Sequence, residues 1–204
     1  MKRILAFDVG IVNLAYCDLE EQMTEDDRPY IRIAKWDVVD VLQMTGCEST
    51  AASTSIPSLI RILHIVLSFL FPSAHLYDAI VIEQQNARLP SQRKCVHISY
   101  IIYQYFYMQN PRTRIISANV KFIECQIERF GYSRAAFAKT STSMSKNYEY
   151  MQRKQHCIDA ARSFFQLIRD HHVDNNKYTK RLVAGDKTDS DAADALLLGV
   201  AVLQ

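Results

Sequence analysis

Two short apolar runs, each closed by an acid, constrain this chain more than any other feature. Residues 3–9 read Arg-Ile-Leu-Ala-Phe-Asp-Val and residues 78–84 read Asp-Ala-Ile-Val-Ile-Glu-Gln. An apolar run without alternation is the pattern of a strand buried on both faces, as in the middle of a sheet covered by helices. Asp8 ends the first run just before Gly10, and Glu83 ends the second. Open α/β folds build their sites where strand ends abut at one edge of the sheet. If the two strands pair in parallel, Asp8 and Glu83 become neighbours.

The remaining segments supply the rest of a mixed sheet. Residues 12–19 read as a second strand hairpinned to the first, and residues 20–29 as an acidic loop. Residues 30–41 alternate through Ile31, Ile33, Trp36 and Val38, the period of a third strand. A small, polar loop spans 46–58. Residues 56–71 carry Leu59, Ile62, Leu63, Val66, Leu67 and Leu70 at helical spacing, with Pro72 as the stop. A long aromatic helix is expected over 90–108, a fifth strand over 114–117 and a helix over 118–130. The low-complexity run Thr-Ser-Thr-Ser-Met-Ser marks a loop within 133–146. A helix over 148–171 and a last helix after Thr188 follow. Three strands joined by short links, then strand–helix alternation, point to an α/β fold: a mixed five-stranded sheet with helices on both faces. The chain has 204 residues, 49% of them hydrophobic, which suits one domain over 1–204 with a full core.

The last helix brings more acids. Asp191 and Asp194 are three residues apart in Asp-Ala-Ala-Asp-Ala-Leu-Leu-Leu, so they share one face of a helix that is otherwise apolar. Like charges on such a face repel and resist desolvation, and a cation between them relieves both costs. Delivered to the edge that holds Asp8 and Glu83, they complete a set of four carboxylates without Cys or His. That hard, all-oxygen set suits Mg²⁺ or Mn²⁺ rather than zinc. Two such ions about 4 Å apart clamp the attacking water and the departing oxygen of a phosphodiester. Taken singly, each acid has a plainer reading: a turn aspartate, a solvated strand end, or a charge favoured by a helix N-terminus. The joint pattern is what points to a metal site.

Charge is segregated along the chain. Residues 1–60 carry 5 Lys/Arg against 10 Asp/Glu, whereas residues 112–181 carry 14 against 6. A basic block is the footprint expected for a polyanionic partner, or equally a solvated helical surface. Arg88, Arg93 and Lys94 lie close after Glu83, and Arg134, Lys139 and Lys146 sit in the polar loop; all are candidates for phosphate contacts. Five scattered cysteines with no C-x-x-C pair suggest neither a zinc site nor a disulfide framework, and a reducing, intracellular compartment is expected. No apolar run approaches the roughly 20 residues of a membrane span. The helix over 91–108 is apolar nearly all round, and a stripe left over after it covers the sheet is expected to form an interface.

At these residues the chain resembles the RuvC-type Holliday junction resolvases of the RNase H-like superfamily. The family opens with a strand ending in Asp-x-Gly, here Asp8-Val9-Gly10. It continues with a strand ending in Ile-Glu-Gln, here Ile82-Glu83-Gln84, and closes with Asp-x-x-Asp-Ala on a terminal helix, here Asp191 to Ala195, with Lys187 shortly before. Length and the glutamines after Glu83 most resemble the poxvirus branch. The resemblance implies an RNase H-like fold, a homodimer formed through the helix over 91–108, and paired nicking of four-way DNA junctions with Mg²⁺. In such an enzyme Asp8, Glu83, Asp191 and Asp194 hold two metal ions and Mn²⁺ substitutes. Lys154, by its match to the lysine opening the family's long helix, would steady charge at the scissile group, and Lys121 would contact phosphate. A viral member would act in host cytoplasm at replication sites, on recombination intermediates such as genome concatemers. The aromatic wedge of bacterial members has no counterpart among Asn86, Ala87, Arg88 and Leu89.

Other readings stay open. A nuclease of the same fold acting on RNA or other branched DNA uses the same acids. A non-catalytic junction binder keeps the fold without needing them. An actin-like kinase or ATPase also opens with strand-Asp-x-Gly, but needs a second Gly-rich phosphate loop. This chain has five glycines, and they do not cluster.

Overall fold

Five strands form one mixed sheet: β1 (Arg3–Asp8), β2 (Asn13–Met23), β3 (Pro29–Asp40), β4 (Ala79–Glu83) and β5 (Thr113–Ile116). Their spatial order is β3-β2-β1-β4-β5. The computed structural model describes residues 1–10, 12–25, 27, 29–50, 53–85, 93–117, 155, 157–165, 178 and 189–203. β1 is central, antiparallel to β2 and parallel to β4, and β4 is parallel to β5. The two apolar runs therefore lie side by side in the middle of the sheet, where burial on both faces demands continuous hydrophobicity.

β2 runs four residues beyond its expected end, to Met23, and pairs with β3 along that whole length. The first four residues of the stretch expected as an acidic loop, Glu20 to Met23, are strand instead, and the Glu20 charge is matched across the ladder. Glu20 accepts from Arg32 at 2.8 Å and lies 3.4 Å from the Arg3 guanidinium. Opposite charges facing each other stabilise a pair of strands as apolar pairs do. A short helix α1 (Val41–Met44) follows β3 without a loop, because Asp40 accepts from the backbone N–H groups of Leu42 and Gln43, both at 2.9 Å. α2 (Ile56–Leu70) begins where Ser55 caps it, and Pro57 sits in its first turn. α3 (Arg93–Tyr107), a helical segment α4 over 157–165, and α5 (Asp189–Val200) complete the described elements. The expected helix over 118–130 and loop over 133–146 lie outside the described residues, as does most of 148–171.

The sheet has helices on both faces. Leu5, Phe7, Leu14, Tyr16, Ile80 and Ile82 pack beneath α1, α2 and α3. Ile4, Ala6, Ala15, Cys17, Leu19 and Val81 pack against α4 and α5. α5 lies very close to the sheet: a Cβ built on Gly199 would sit 2.7 Å from Leu19 Cδ1 and 3.3 Å from Ala6 Cβ. Under the first face lies a buried ion pair. Asp18 is fully buried, accepts from Arg3 at 2.9 and 2.7 Å, and accepts from the Tyr77 hydroxyl at 3.0 Å. Burial, reinforced by the Asp18 charge, pushes the Tyr77 hydroxyl well above the usual phenol range.

Candidate active site

Side-chain alternation decides which residues can meet. In β1, Ile4 and Ala6 point to the α5 face, so Asp8, two residues on, points there too. In β4, Ala79 and Val81 point to that face, and Glu83 follows in the same phase. The parallel register pairs Phe7 with Ile82, which puts Asp8 and Glu83 side by side at the carboxyl end of the central strands. Gly10 makes the abrupt exit from β1 possible: a Cβ there would lie 2.3 Å from the backbone oxygen of Asn13. The Asp-x-Gly spacing is thus the geometry of a turn that doubles back directly after the acid.

α5 brings the other pair to the same side. Ten of its twelve residues are buried, and the two that are only half-buried are Asp191 and Asp194. Two contacts fix the start of this helix over the sheet edge, and a third, within the helix, orients Asp191. Trp36 in β3 donates its indole N–H to the Ala192 carbonyl at 2.8 Å. Asn13 donates its side-chain amide to Asp191 Oδ2 at 3.4 Å. Ser190 donates its hydroxyl to Asp191 Oδ1 at 3.3 Å. Asn13 precedes Ala15, the β2 residue paired with Asp8, by two positions, so the contact carries α5 to the Asp8 edge. Glu83 accepts from Gln85 Nε2 at 3.4 Å.

Asn13 was not among the residues singled out from sequence. Its place depends on the hairpin register and on a partner 178 residues away. The available signal was strand phase, since Asn13 alternates with Ala15 and Cys17, which face α5.

The four acids share one edge without converging tightly. Among the described residues no group of three or more His, Cys, Asp or Glu side chains is gathered closely enough to hold an ion in this arrangement. The donor set nevertheless fits a hard divalent cation: four carboxylates, no sulfur or imidazole, on three elements whose ends meet on one face of the sheet. All four are half-buried, so each can reach a solvated ion.

The candidate phosphate contacts divide. Arg93 is exposed at the start of α3. Lys94 is half-buried and donates to the Thr54 carbonyl at 3.0 Å, which ties α3 to the residues before α2. Arg88, Lys121, Arg134, Lys139, Lys146 and Lys154 lie outside the described residues. α3 buries Ile98, Ile102 and Phe106 against the sheet and leaves Tyr100 60% exposed, with Met108 just beyond it 81% exposed. None of the described helices is long and apolar enough to cross a membrane.

A family model described as mitochondrial resolvase Ydc2 / RNA splicing MRS1 matches residues 4–126. Three solved structures share the fold. Fowlpox virus resolvase, determined with its Holliday junction DNA substrate, is 20% identical with a TM-score of 0.51, covering 97% of this chain and 94% of its own. The yeast mitochondrial Holliday junction resolvase Ydc2 is 16% identical with a TM-score of 0.50, covering 98% of this chain and 78% of its own. RuvC of Thermus thermophilus is 10% identical with a TM-score of 0.51, covering 98% of this chain and 92% of its own. No curated protein matches the sequence.

Proposed function

This chain belongs to the Ydc2 / MRS1 resolvase family, and from that membership we propose that it is a Holliday junction resolvase, a metal-dependent endonuclease that nicks four-way DNA junctions in pairs. One observation supports this above the rest. Parallel pairing of β1 with β4 sets Asp8 beside Glu83, and α5 adds Asp191 and Asp194 on the same face.

The proposed ion is Mg²⁺, two per site, with Mn²⁺ as a substitute. When bound, the metal would supply a nucleophilic water at neutral pH and neutralise charge on the departing oxygen. Asp8 and Glu83 are held by the rigid centre of the sheet, and Asp191 and Asp194 by a helix packed hard against it. Such a frame keeps four like charges together with little reorganisation. Arg93, exposed at the start of α3, is proposed as a phosphate contact, and Lys154 and Lys121 are part of the same proposal. A homodimer through α3 follows the same reading, supported by the apolar surface that Tyr100 and Met108 leave uncovered. A reducing, intracellular setting and the resolution of viral recombination intermediates, including concatemers, complete it. RNA substrates are the second reading, supported by the RNA-splicing member that the family description names.

The test is cleavage of a mobile four-way junction, a linear duplex and a structured RNA, with Mg²⁺ present or chelated. Paired, Mg²⁺-dependent nicking confined to the junction is expected. Asp8→Asn keeps the shape and removes the charge, so cleavage should fall by about 100-fold or more while junction binding survives. Robust cleavage by that variant sinks the metal-site assignment. Preferential cutting of RNA moves the substrate to the second reading.

A further inference from the structure

We propose that Asn13 is a positioning residue for the metal site, holding the Asp191 carboxylate in the orientation that an ion requires. The inference rests on the reading of Asp8, Glu83, Asp191 and Asp194 as metal ligands. It goes beyond that reading because Asn13 carries no charge and is itself no ligand candidate.

The backbone of Asn13 is unusually well fixed for a residue beside a turn. It opens β2 and pairs with Asp40 of β3. On one side, the turn closes so tightly that Gly10 has no room for a Cβ against the Asn13 carbonyl. On the other, the preceding carbonyl, that of Val12, accepts from Val41 N at 3.3 Å. Its side chain therefore starts from a rigid point, in the strand phase that faces α5. The amide donates to Asp191 Oδ2 at 3.4 Å while Ser190 donates to Oδ1 at 3.3 Å. Each carboxylate oxygen has two lone-pair directions. These two donors, one to each oxygen, hold the group against rotation.

A neutral donor is also the right chemistry here. A Lys or Arg at position 13 would compete with the cation for Asp191, and an acid would add to the repulsion among the carboxylates. An amide orients the ligand without doing either. Outer-sphere partners of this kind typically change metal affinity by about 10- to 100-fold when removed.

The experiment measures Mn²⁺ binding to the free protein, without DNA, by loss of the free-ion electron paramagnetic resonance signal. Wild type is compared with Asn13→Ala, Asn13→Leu and Asp191→Asn. Leu keeps the branching of Asn and lacks the donor, so two variants of different packing read the same hydrogen bond. Both should bind Mn²⁺ about tenfold or more weakly, with thermal midpoints near wild type and junction affinity in chelator unchanged. With junction and Mg²⁺, turnover should fall at unaltered KM for DNA. Wild-type Mn²⁺ affinity in either folded Asn13 variant overturns the inference while leaving the metal site intact, provided Asp191→Asn loses binding. Failure of wild type to bind Mn²⁺, or full binding by Asp191→Asn, overturns the metal-site reading and this inference with it.

Discussion

Trp36 and Ala192 are joined by an indole N–H to carbonyl hydrogen bond of 2.8 Å, with the acceptor lying between the two aspartates of α5. The bond ties the third strand, at one edge of the sheet, to the helix that carries half of the proposed ligands. Trp36→Phe keeps an aromatic ring and drops the donor. Stability should fall by about 1 kcal/mol, and Mn²⁺ affinity by less than about tenfold as the helix start loosens. Urea unfolding alongside a Mn²⁺ titration checks both, and unchanged affinity would mean that other contacts suffice to hold α5.

Gly10→Ala should be costly in a way that a surface substitution is not. The added Cβ would meet a backbone oxygen at 2.3 Å, and backbone cannot swing aside as a side-chain tip can. The turn must open, displacing Asn13 and the end of β1 together. We expect a loss of about 1–3 kcal/mol and a larger drop in cleavage than stability alone explains. Cleavage measured well below the unfolding midpoint separates the two; normal activity there would show that the turn can relax without moving Asp8.

Asp18→Asn tests the buried ion pair. Removing one partner of a buried pair typically costs 3–5 kcal/mol. Arg3 keeps 31% of its side chain exposed, so water can take over part of the role, and about 2–3 kcal/mol is the expected loss. Denaturant midpoints give the value. Asp18 faces away from α5, so cleavage by the folded variant should match wild type.

Tyr178 provides a pH-dependent test. Burial pushes its hydroxyl up to about 12, and the neutral form donates to the Ala34 carbonyl at 3.0 Å. A phenol whose folded pKa is raised contributes stability that is fully present below its unfolded pKa, near 10. That stability is lost as pH rises toward 12. Between these values the unfolded chain has released a proton that the folded chain still holds. Tyr178→Phe should therefore flatten the fall in stability between pH 10 and 12, and cost only about 1 kcal/mol at neutral pH. Equal alkaline slopes in the two proteins would assign the titration to other groups, Tyr77 first among them.

Some parts of this fold are written in single residues and others only in relationships. β1 and β4 were readable because burial on both faces leaves no polar position to confuse the pattern. The four carboxylates stood out because each borders or interrupts an apolar run. The end of β2 was hidden because its strand character comes from Glu20 pairing with Arg3 and Arg32, which a composition reading scores as a loop. α1 is four residues long, too short for any periodicity to register. Lys94, grouped by charge with the candidate phosphate contacts, also donates to the Thr54 carbonyl, a partner visible only in three dimensions. Asn13 belongs with these: an ordinary polar residue until the hairpin register and α5 give it a neighbour.

The pairing of β1 with two different neighbours orders events in time. Its antiparallel partner β2 follows after a tight turn, and such hairpins form in about 1–10 μs. Its parallel partner β4 must return across the residues between Arg3 and Asp78, which are 75 apart and hydrogen-bonded in the finished sheet. The contact between Asn13 and Asp191 spans 178 residues. Loop closure over such distances is slow and is repaid only when the surrounding core closes. Asp8 thus depends on a local pairing for its strand, whereas its meeting with Glu83, Asp191 and Asp194 depends on distant ones. The edge that carries all four carboxylates is therefore complete only once the contacts most distant in sequence have closed.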